Sequence, residues 1–375
     1  MTLSIDEFVD RFGEEPGYVD FANAGPVGRV VRDEEHALSS LVGRARFGTM
    51  TTLDEQDERV RDAVARVIRF PASRIAFQPN TSQGLMHVMF GLTGEIALSS
   101  AEFPSLTFAV SRAADALAVL HPLWLETDHG RVTPGNLREQ LTASTTAVAV
   151  SLVDFRSGHL ADLEGIRQVI GDRLLIVDAI QGFGVVDAPW EVADVIVAGG
   201  QAWVRAGWGT GFLAMSDRAL EQITPVFSGF SATEAESTPL DEVSAPARGV
   251  SAFQVTHPDP VAQGRFAAAL EELEEVGVPA VVARLAEKTS RVIDLADEFG
   301  LAVSSSRDES ERAGIVVVTP QADQLTVLTA SLHNHGVTAT ARDGSVRLSP
   351  HVTTSEETFA MLRASLMSFA SAITI

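Results

Sequence analysis

Leu174-Leu175-Ile176-Val177-Asp178-Ala179-Ile180-Gln181 opens with four apolar residues in a row and then meets a carboxylate. An apolar run without polar alternation reads as a strand buried on both faces, as in a sheet covered by helices. Runs at 96–99, 147–153, 195–198 and 211–215 read the same way, and helical patterns lie between them. Alternation of this kind predicts an α/β fold with a mostly parallel central sheet and flanking helices. Ligands of such sheets bind beyond the carboxyl ends of the strands, so Asp178 and Gln181 stand where a ligand would be met.

Working outward, charged residues alternate with Val60, Val64 and Val67 at helical spacing over 54–70, which predicts an amphipathic helix. After about residue 253 the pattern changes. Long helices are expected at 261–276 and 279–299, strands at 315–319 and 346–349, and a last helix at 355–372. This reads as a smaller C-terminal α+β domain. The expected division is an N-terminal segment, 1–17, packing with the small domain; a large domain, 18–255; and the small domain, 256–375. Residues 229–249 are rich in Ser, Ala, Glu and Pro and read as a loop.

Composition narrows the function. The chain has 375 residues and no apolar run of membrane-spanning length, about 18 or more. Its first 16 residues are acidic and mixed, without a basic stretch leading into an apolar one, so a cytoplasmic location is expected. A formal net charge of −22 argues against nucleic-acid partners, and no membrane partner is expected. There is no cysteine, hence no disulfide, thiolate metal site or thiol nucleophile. The histidines lack metal-ligand spacing, so no metal is expected. Lys288 is the only lysine; the other 27 of the 28 Lys+Arg are arginine.

Five further segments can carry chemistry. Asn80-Thr81-Ser82-Gln83-Gly84 precedes an apolar helix, with Thr81 or Ser82 as its expected N-cap. Such a helix start can hold a phosphate, although most Thr-Ser caps bind nothing. Glu102-Phe103-Pro104-Ser105 follows a strand; Phe103 is either a ring to stack on or a core aromatic. Asp178 either keeps a pyridine nitrogen protonated or caps the next element. The glycines of Ala198-Gly199-Gly200-Gln201-Ala202-Trp203 and Gly207-Trp208-Gly209-Thr210-Gly211 allow close backbone approach to a ligand, or tight turns around a core Trp. Arg347, in Val346-Arg347-Leu348-Ser349-Pro350-His351, with Arg342 upstream, is a carboxylate clamp or a surface ion pair.

In their order and spacing these segments resemble the class V aminotransferases: cysteine desulfurases, isopenicillin N epimerase, kynureninase and ergothioneine-type C–S lyases. The resemblance runs from Tyr18 to Phe359. Tyr18-Val19-Asp20-Phe21-Ala22-Asn23-Ala24-Gly25-Pro26 is similar to the family's opening "YLDNAATGP", 80–84 to "NTSEG", 177–181 to "VDAxQ", 209–213 to "GTGFL" and 347–351 to "RLSPH". Residues 253–259 are a looser match to "FExGTPN". The resemblance implies fold type I and pyridoxal 5'-phosphate (PLP) as cofactor. It implies Thr81 and Ser82 on the phosphate, Phe103 on the ring, Asp178 on the pyridine nitrogen and Gln181 on the ring hydroxyl. Gln201 stands at a cofactor position where the family usually has His. The resemblance further implies Arg347 on the α-carboxylate of an amino-acid substrate, with Asn23 and Arg156 lining the substrate site. It also implies a homodimer in which His257 reaches the neighbouring subunit's site.

One departure decides what this chain can do. Where the family reads "GGHKW", this sequence has Gly200-Gln201-Ala202-Trp203, with Ala202 at the position of the Schiff-base lysine. A methyl group can neither hold the cofactor nor move a proton. Gln201 apart, the cofactor positions are intact, which favours a deliberate lysine-to-alanine replacement over natural loss. The expected activity is a PLP-dependent enzyme acting on an amino acid through an external aldimine, foremost a β-eliminating C–S lyase, present here as an inactive variant. An aminotransferase or epimerase, and a natural inert ligand-binding homologue, are the alternatives. The missing cysteine removes the persulfide route of cysteine desulfurases.

Overall fold

The computed structural model describes residues 3–234 and 241–373. Residues 235–240, the middle of the expected loop, lie outside the described residues. Seven strands form the central sheet: β1 (Ile75–Phe77), β2 (Gly94–Ser99), β3 (Leu120–Leu125), β4 (Thr145–Ser151), β5 (Leu174–Asp178), β6 (Val195–Gly199) and β7 (Gly211–Met215). Their order is β1-β7-β6-β5-β4-β2-β3. Only β7 runs against its neighbours; the other six share one direction. The mostly parallel sheet follows from the sequence pattern: each parallel pair needs a crossover, and helical stretches supply it. Leu174, Leu175, Ile176 and Val177 are all fully buried. Burying each such side chain stabilises the fold by about 1.5–3 kcal/mol, which makes β5 the spine of the sheet.

Helices cover both faces: α1 (Ile5–Val9), α2 (Arg29–Arg44), α3 (Thr49–Ile68), α4 (Thr81–Gly91), α5 (Pro104–Leu117), α6 (Pro134–Gln140), α7 (Leu163–Ile170), α8 (Asp217–Gln222) and α9 (Pro260–Val276). Then come α10 (Val278–Glu298), β8 (Ala302–Val303), β9 (Val316–Thr319), α11 (Leu325–Asn334), β10 (Thr340–Arg342), β11 (Ser345–Leu348) and α12 (Glu356–Ile373). The last four strands make a second, antiparallel sheet of order β10-β11-β9-β8.

Among the elements not expected from sequence are α1, α2, β1 and β3, and in the small domain β8, α11 and β10. β3 reads Leu-His-Pro-Leu-Trp-Leu and lies at the sheet edge, the place where a strand tolerates a proline. The helix expected at 54–70 begins earlier, at Thr49, and stops in a left-handed Arg69 just before Pro71. The N-terminal segment docks on α9 and α10: the Leu3 N–H donates to the Glu275 carbonyl at 3.1 Å, and Asp6 pairs with Arg284 at 3.0 Å. α9 also packs along α2 and α3, and its Phe266 and Leu270 lie in the main core.

Candidate active site

β4, β5 and β6 end side by side, with Ser151 in register with Asp178 and Asp178 with Val197. Their ends open into a cavity of about 580 Å³ whose lining includes Asn23, Thr81, Ser82, Phe103, Asp178, Gln181, Gln201 and Arg347. Seven separate stretches of chain converge there. Four follow β1, β2, β5 and β6, whose strands share one direction. The others are 22–23, the turn before β7, and Arg342 and Arg347 of the second sheet.

Asp178 forms the floor. Its Oδ1 accepts the Ile180 N–H at 3.2 Å, which is the capping role, while Oδ2 is buried with no partner. Burial pushes the carboxyl up to about 7, and the Ile180 N–H offsets only part of this. Glu102 lies near it, its Oε2 accepting the Ser151 N–H at 3.0 Å. Burial raises Glu102 to about 7 as well; the Ser151 N–H opposes the rise, and the charges of Asp178 and Asp154 add to it.

The tip of α4 forms another wall. Its N-cap is Asn80, not Thr81 or Ser82: the Asn80 carboxamide accepts the Gln83 N–H at 2.8 Å. Asn80 keeps an extended backbone, so Thr81 becomes the first helical residue and its hydroxyl is left over. That Oγ1 is buried without a partner. Ser82 and Ser105 share a hydroxyl hydrogen bond of 2.7 Å. Phe103 caps α5, and its ring meets Phe155 edge-on at 5.0 Å.

The turn after β6 runs close to this wall. A Cβ on Gly199 would come 3.1 Å from Thr81 Oγ1, and one on Gly200 2.6 Å from Thr210 Oγ1. Bulk is therefore excluded at both positions. Gln201 lines the cavity, whereas Ala202 is 1% exposed and lies behind it. Gln181 is engaged at both ends of its amide: Nε2 donates to the Ala22 carbonyl at 2.8 Å and Oε1 accepts from Trp203 Nε1 at 2.9 Å.

Arg347 reaches in from β11. Its guanidinium meets Asp20 Oδ1 and the Phe155 carbonyl only at 3.5 and 3.4 Å, and its Nε is buried without a partner. Asp20 is itself held by Asn23 at 3.2 Å and Thr340 at 2.8 Å. Two expected site residues lie outside the cavity. Arg156 is in an adjoining annex, and His257 is in a neighbouring cleft with Gln83 and Trp208, its ring 5.3 Å from Phe230. Lys288 is remote, on α10 with its amine 5.5 Å from the Phe359 ring.

Sequence reasoning passed over Arg205. It is the largest fully buried side chain, gripped by Glu14 at 2.7 Å, Thr353 at 2.9 Å and the Pro26 carbonyl at 2.5 Å, with its charge 3.9 Å from the Phe12 ring centre. Its N–H closes the turn onto the Ala202 carbonyl at 3.2 Å. The one signal in sequence was an arginine inside an otherwise apolar turn, Trp203-Val204-Arg205-Ala206.

The sheet order, the switch of helices around it and a cavity at the strand ends define a fold type I protein. The Aminotransferase class-V family model matches residues 25–373, and the chain belongs to that family. Solved structures agree on the fold. An apo cysteine desulfurase from Thermococcus onnurineus NA1 is 20% identical with a TM-score of 0.85, covering 95% of each chain. A lysine-to-alanine mutant of C-DES, with glycine covalently linked to its PLP cofactor, is 18% identical with a TM-score of 0.86, covering 94% of this chain and 96% of that one. The cysteine desulfurase CsdA from Escherichia coli is 17% identical with a TM-score of 0.82, covering 99% and 100%. No curated protein matches the sequence. Among the described residues no helix is long and apolar enough to cross a membrane.

Proposed function

We propose that this chain binds pyridoxal 5'-phosphate in the cavity at the strand ends and takes an amino acid as its substrate. One observation carries the reading: two buried polar atoms, Thr81 Oγ1 and Asp178 Oδ2, lack partners and belong to residues on two walls of a single cavity. Orphaned buried polar groups are rare and point to a missing ligand. A phosphate suits the tip of α4, where Thr81 and Ser82 add hydroxyls to the helix N–H groups. A protonated pyridine nitrogen suits Asp178, because its positive charge would relieve the buried carboxylate. Phe103 supplies a flat face, Gln201 a polar edge, and Gln181 its remaining amide hydrogen.

When bound, the cofactor supplies an electron sink for a bond broken at the substrate α-carbon. The chain's own residues bind and orient. Arg347, under-satisfied in this structure, would take the α-carboxylate, with Asn23 and Arg156 lining the substrate side. Ala202 occupies the position of the cofactor lysine and can neither tether the cofactor nor carry a proton. As written, the chain therefore binds and does not turn over. With lysine restored, β-elimination of a sulfur-bearing substrate is the leading activity, and transamination or epimerisation are the competing outcomes. A naturally inert binding homologue is the reading favoured should the native gene itself encode alanine there.

In this proposal the functional form is a cytoplasmic homodimer, with His257 directed at the partner's cavity. Trp208 and Phe230 are large exposed apolar residues near that cleft. The proposed units are 1–17, 18–255 and 256–375, with α9 bridging the last two. The test is a PLP titration of this chain and of Ala202→Lys. Both should bind, and only the lysine variant should develop the visible-edge absorbance of a lysine-bound cofactor. Pyruvate with ammonia, inverted substrate, or a stable pyridoxamine form would then separate the three activities. No binding by either protein would end the reading.

A further inference from the structure

A second, smaller cavity of about 90 Å³ adjoins the main one, and Arg342 and Arg347 line both. Arg156 and Phe155 complete its mouth. In a chain of net charge −22 arginines ordinarily meet carboxylates, as Arg59, Arg167 and Arg218 do. Among the described residues Arg156 and Arg342 form no ion pair, while Arg347 has only its 3.5 Å contact with Asp20. The guanidinium carbons of Arg156 and Arg342 stand 5.2 and 5.7 Å from the Phe155 ring centre. That ring also touches Phe103 of the main cavity. Three guanidiniums thus line the annex with one carboxylate, Asp343, in the left-handed turn of the β10–β11 hairpin; Asp20, behind Arg347, is the only other one paired with them among the described residues. Arg156 and Arg342 are exposed, and Arg347 is half-buried. Burial first, and Arg342 to a lesser degree, weakens the hold of Arg347 on its proton, with Asp20 opposing both.

We propose that the site selects amino acids whose side chain ends in an anion (a carboxylate, sulfinate or sulfonate), received by Arg342 and Arg156 while Arg347 takes the α-carboxylate. The inference rests on the PLP reading above and adds the substrate class. Its chemistry is bidentate recognition of a planar or tetrahedral oxyanion by guanidinium forks, with Phe155 aligning two of them. The annex is small, so it admits a terminal anionic group and not a long chain. The acidic surface elsewhere gives no long-range attraction to such a substrate, which leaves selection to this local cluster.

Calorimetry on the PLP-loaded chain tests it, because Ala202 prevents turnover from confusing binding. L-Glutamate is compared with L-glutamine, and L-aspartate with L-asparagine. The acid should bind about tenfold or more tighter than its amide in at least one pair. In Arg342→Gln, and more so in Arg156→Gln/Arg342→Gln, the acid should fall to the affinity of the amide. Equal affinities in the parent protein, or a preference that survives the double substitution, would overturn the proposal and leave the cofactor reading standing. Failure of every amino acid to bind the loaded chain would instead remove the amino-acid substrate itself, and this inference with it.

Discussion

Replacing Asp178 by Asn should stabilise the cofactor-free protein at pH 8. Asp178 is 2% exposed, and its Oδ2 has no partner. Burial lifts its carboxyl from the ordinary 3.8 to about 7. A carboxyl whose folded value is raised contributes its full stability below its unfolded value and loses it as pH rises through the folded one. Between those values the folded state holds the extra proton; above about 7 it must bury a bare charge. At about 1.4 kcal/mol per tenfold, the interval corresponds to about 4 kcal/mol of penalty by pH 8. Asn removes the charge and still accepts from Ile180, but it leaves a buried NH₂ without a partner, at a cost of about 1–3 kcal/mol. The expected net gain is about 1–3 kcal/mol at pH 8, shrinking to about zero or a small loss at pH 5, where about 1.6 kcal/mol of the parent's penalty remains. Urea midpoints of both proteins at pH 5 and pH 8, with and without PLP, measure this. Saturating PLP should raise the parent's midpoint at pH 8 more than the variant's, since only the parent has a carboxylate for the pyridine nitrogen. Parallel pH profiles for the two proteins would refute the reasoning, because they would mean that Asp178 does not titrate between folded and unfolded states as its burial demands.

Two other buried groups give sharp tests. His87 has neither ring nitrogen bonded, and burial alone lowers it to about 4 from 6.5. Its neutral form is stable above about 6.5, and as pH falls to about 4 the unfolded state gains the proton and about 3 kcal/mol is lost. His87→Phe, placed among Phe227 and Phe253, should flatten the acid limb of the stability profile; an unchanged limb would assign it to other groups, His351 first. Glu14→Gln strips the counter-charge from buried Arg205 and should cost about 3–5 kcal/mol in urea denaturation. Adding Arg205→Met to it should recover part of that loss, and no recovery would show that the arginine stem, not its charge, holds the turn.

Much of this fold is written in local sequence. Runs such as 174–177 and 195–198 are apolar without interruption because both faces of those strands are covered, and no helix of that length would need such a pattern. The cavity positions Phe103, Asp178 and Gln201 were legible for a related reason: parallel topology sends strand ends to the same side, so residues just after each run meet. Thr81 and Arg347, the latter on the second, antiparallel sheet, were legible only through the resemblance of their segments to the family. β1 escaped notice because three residues carry too little periodicity, and β3 because Pro122 and Trp124 break it. Arg205 was illegible because what buries it, Phe12, Glu14 and Phe21, lies about 190 positions away in sequence. Arg342 was visible as a residue but not as an annex, since its lack of a carboxylate partner is a fact of three dimensions only.

The charges of the site follow one logic. At the strand ends two buried carboxyls, Asp178 and Glu102, stand where deprotonation is costly; across the cavity three guanidiniums stand with two carboxylates, Asp343 and Asp20. The buried carboxyls leave polar capacity unspent away from water, whereas Arg156 and Arg342 are exposed and Arg347 is half-buried, so the guanidiniums stand ready at the mouth of the cavity. A ligand that is cationic where it meets Asp178 and anionic at both its phosphate and its far end would complete all of them at once. A ring nitrogen, a phosphate and an amino acid with an anionic tail supply that sequence of charges; the cofactor alone leaves the arginines unanswered. Ala202 changes none of these charges. It removes the covalent tether and the proton carrier from a cavity whose binding features remain, and that separates binding from turnover in the experiments above.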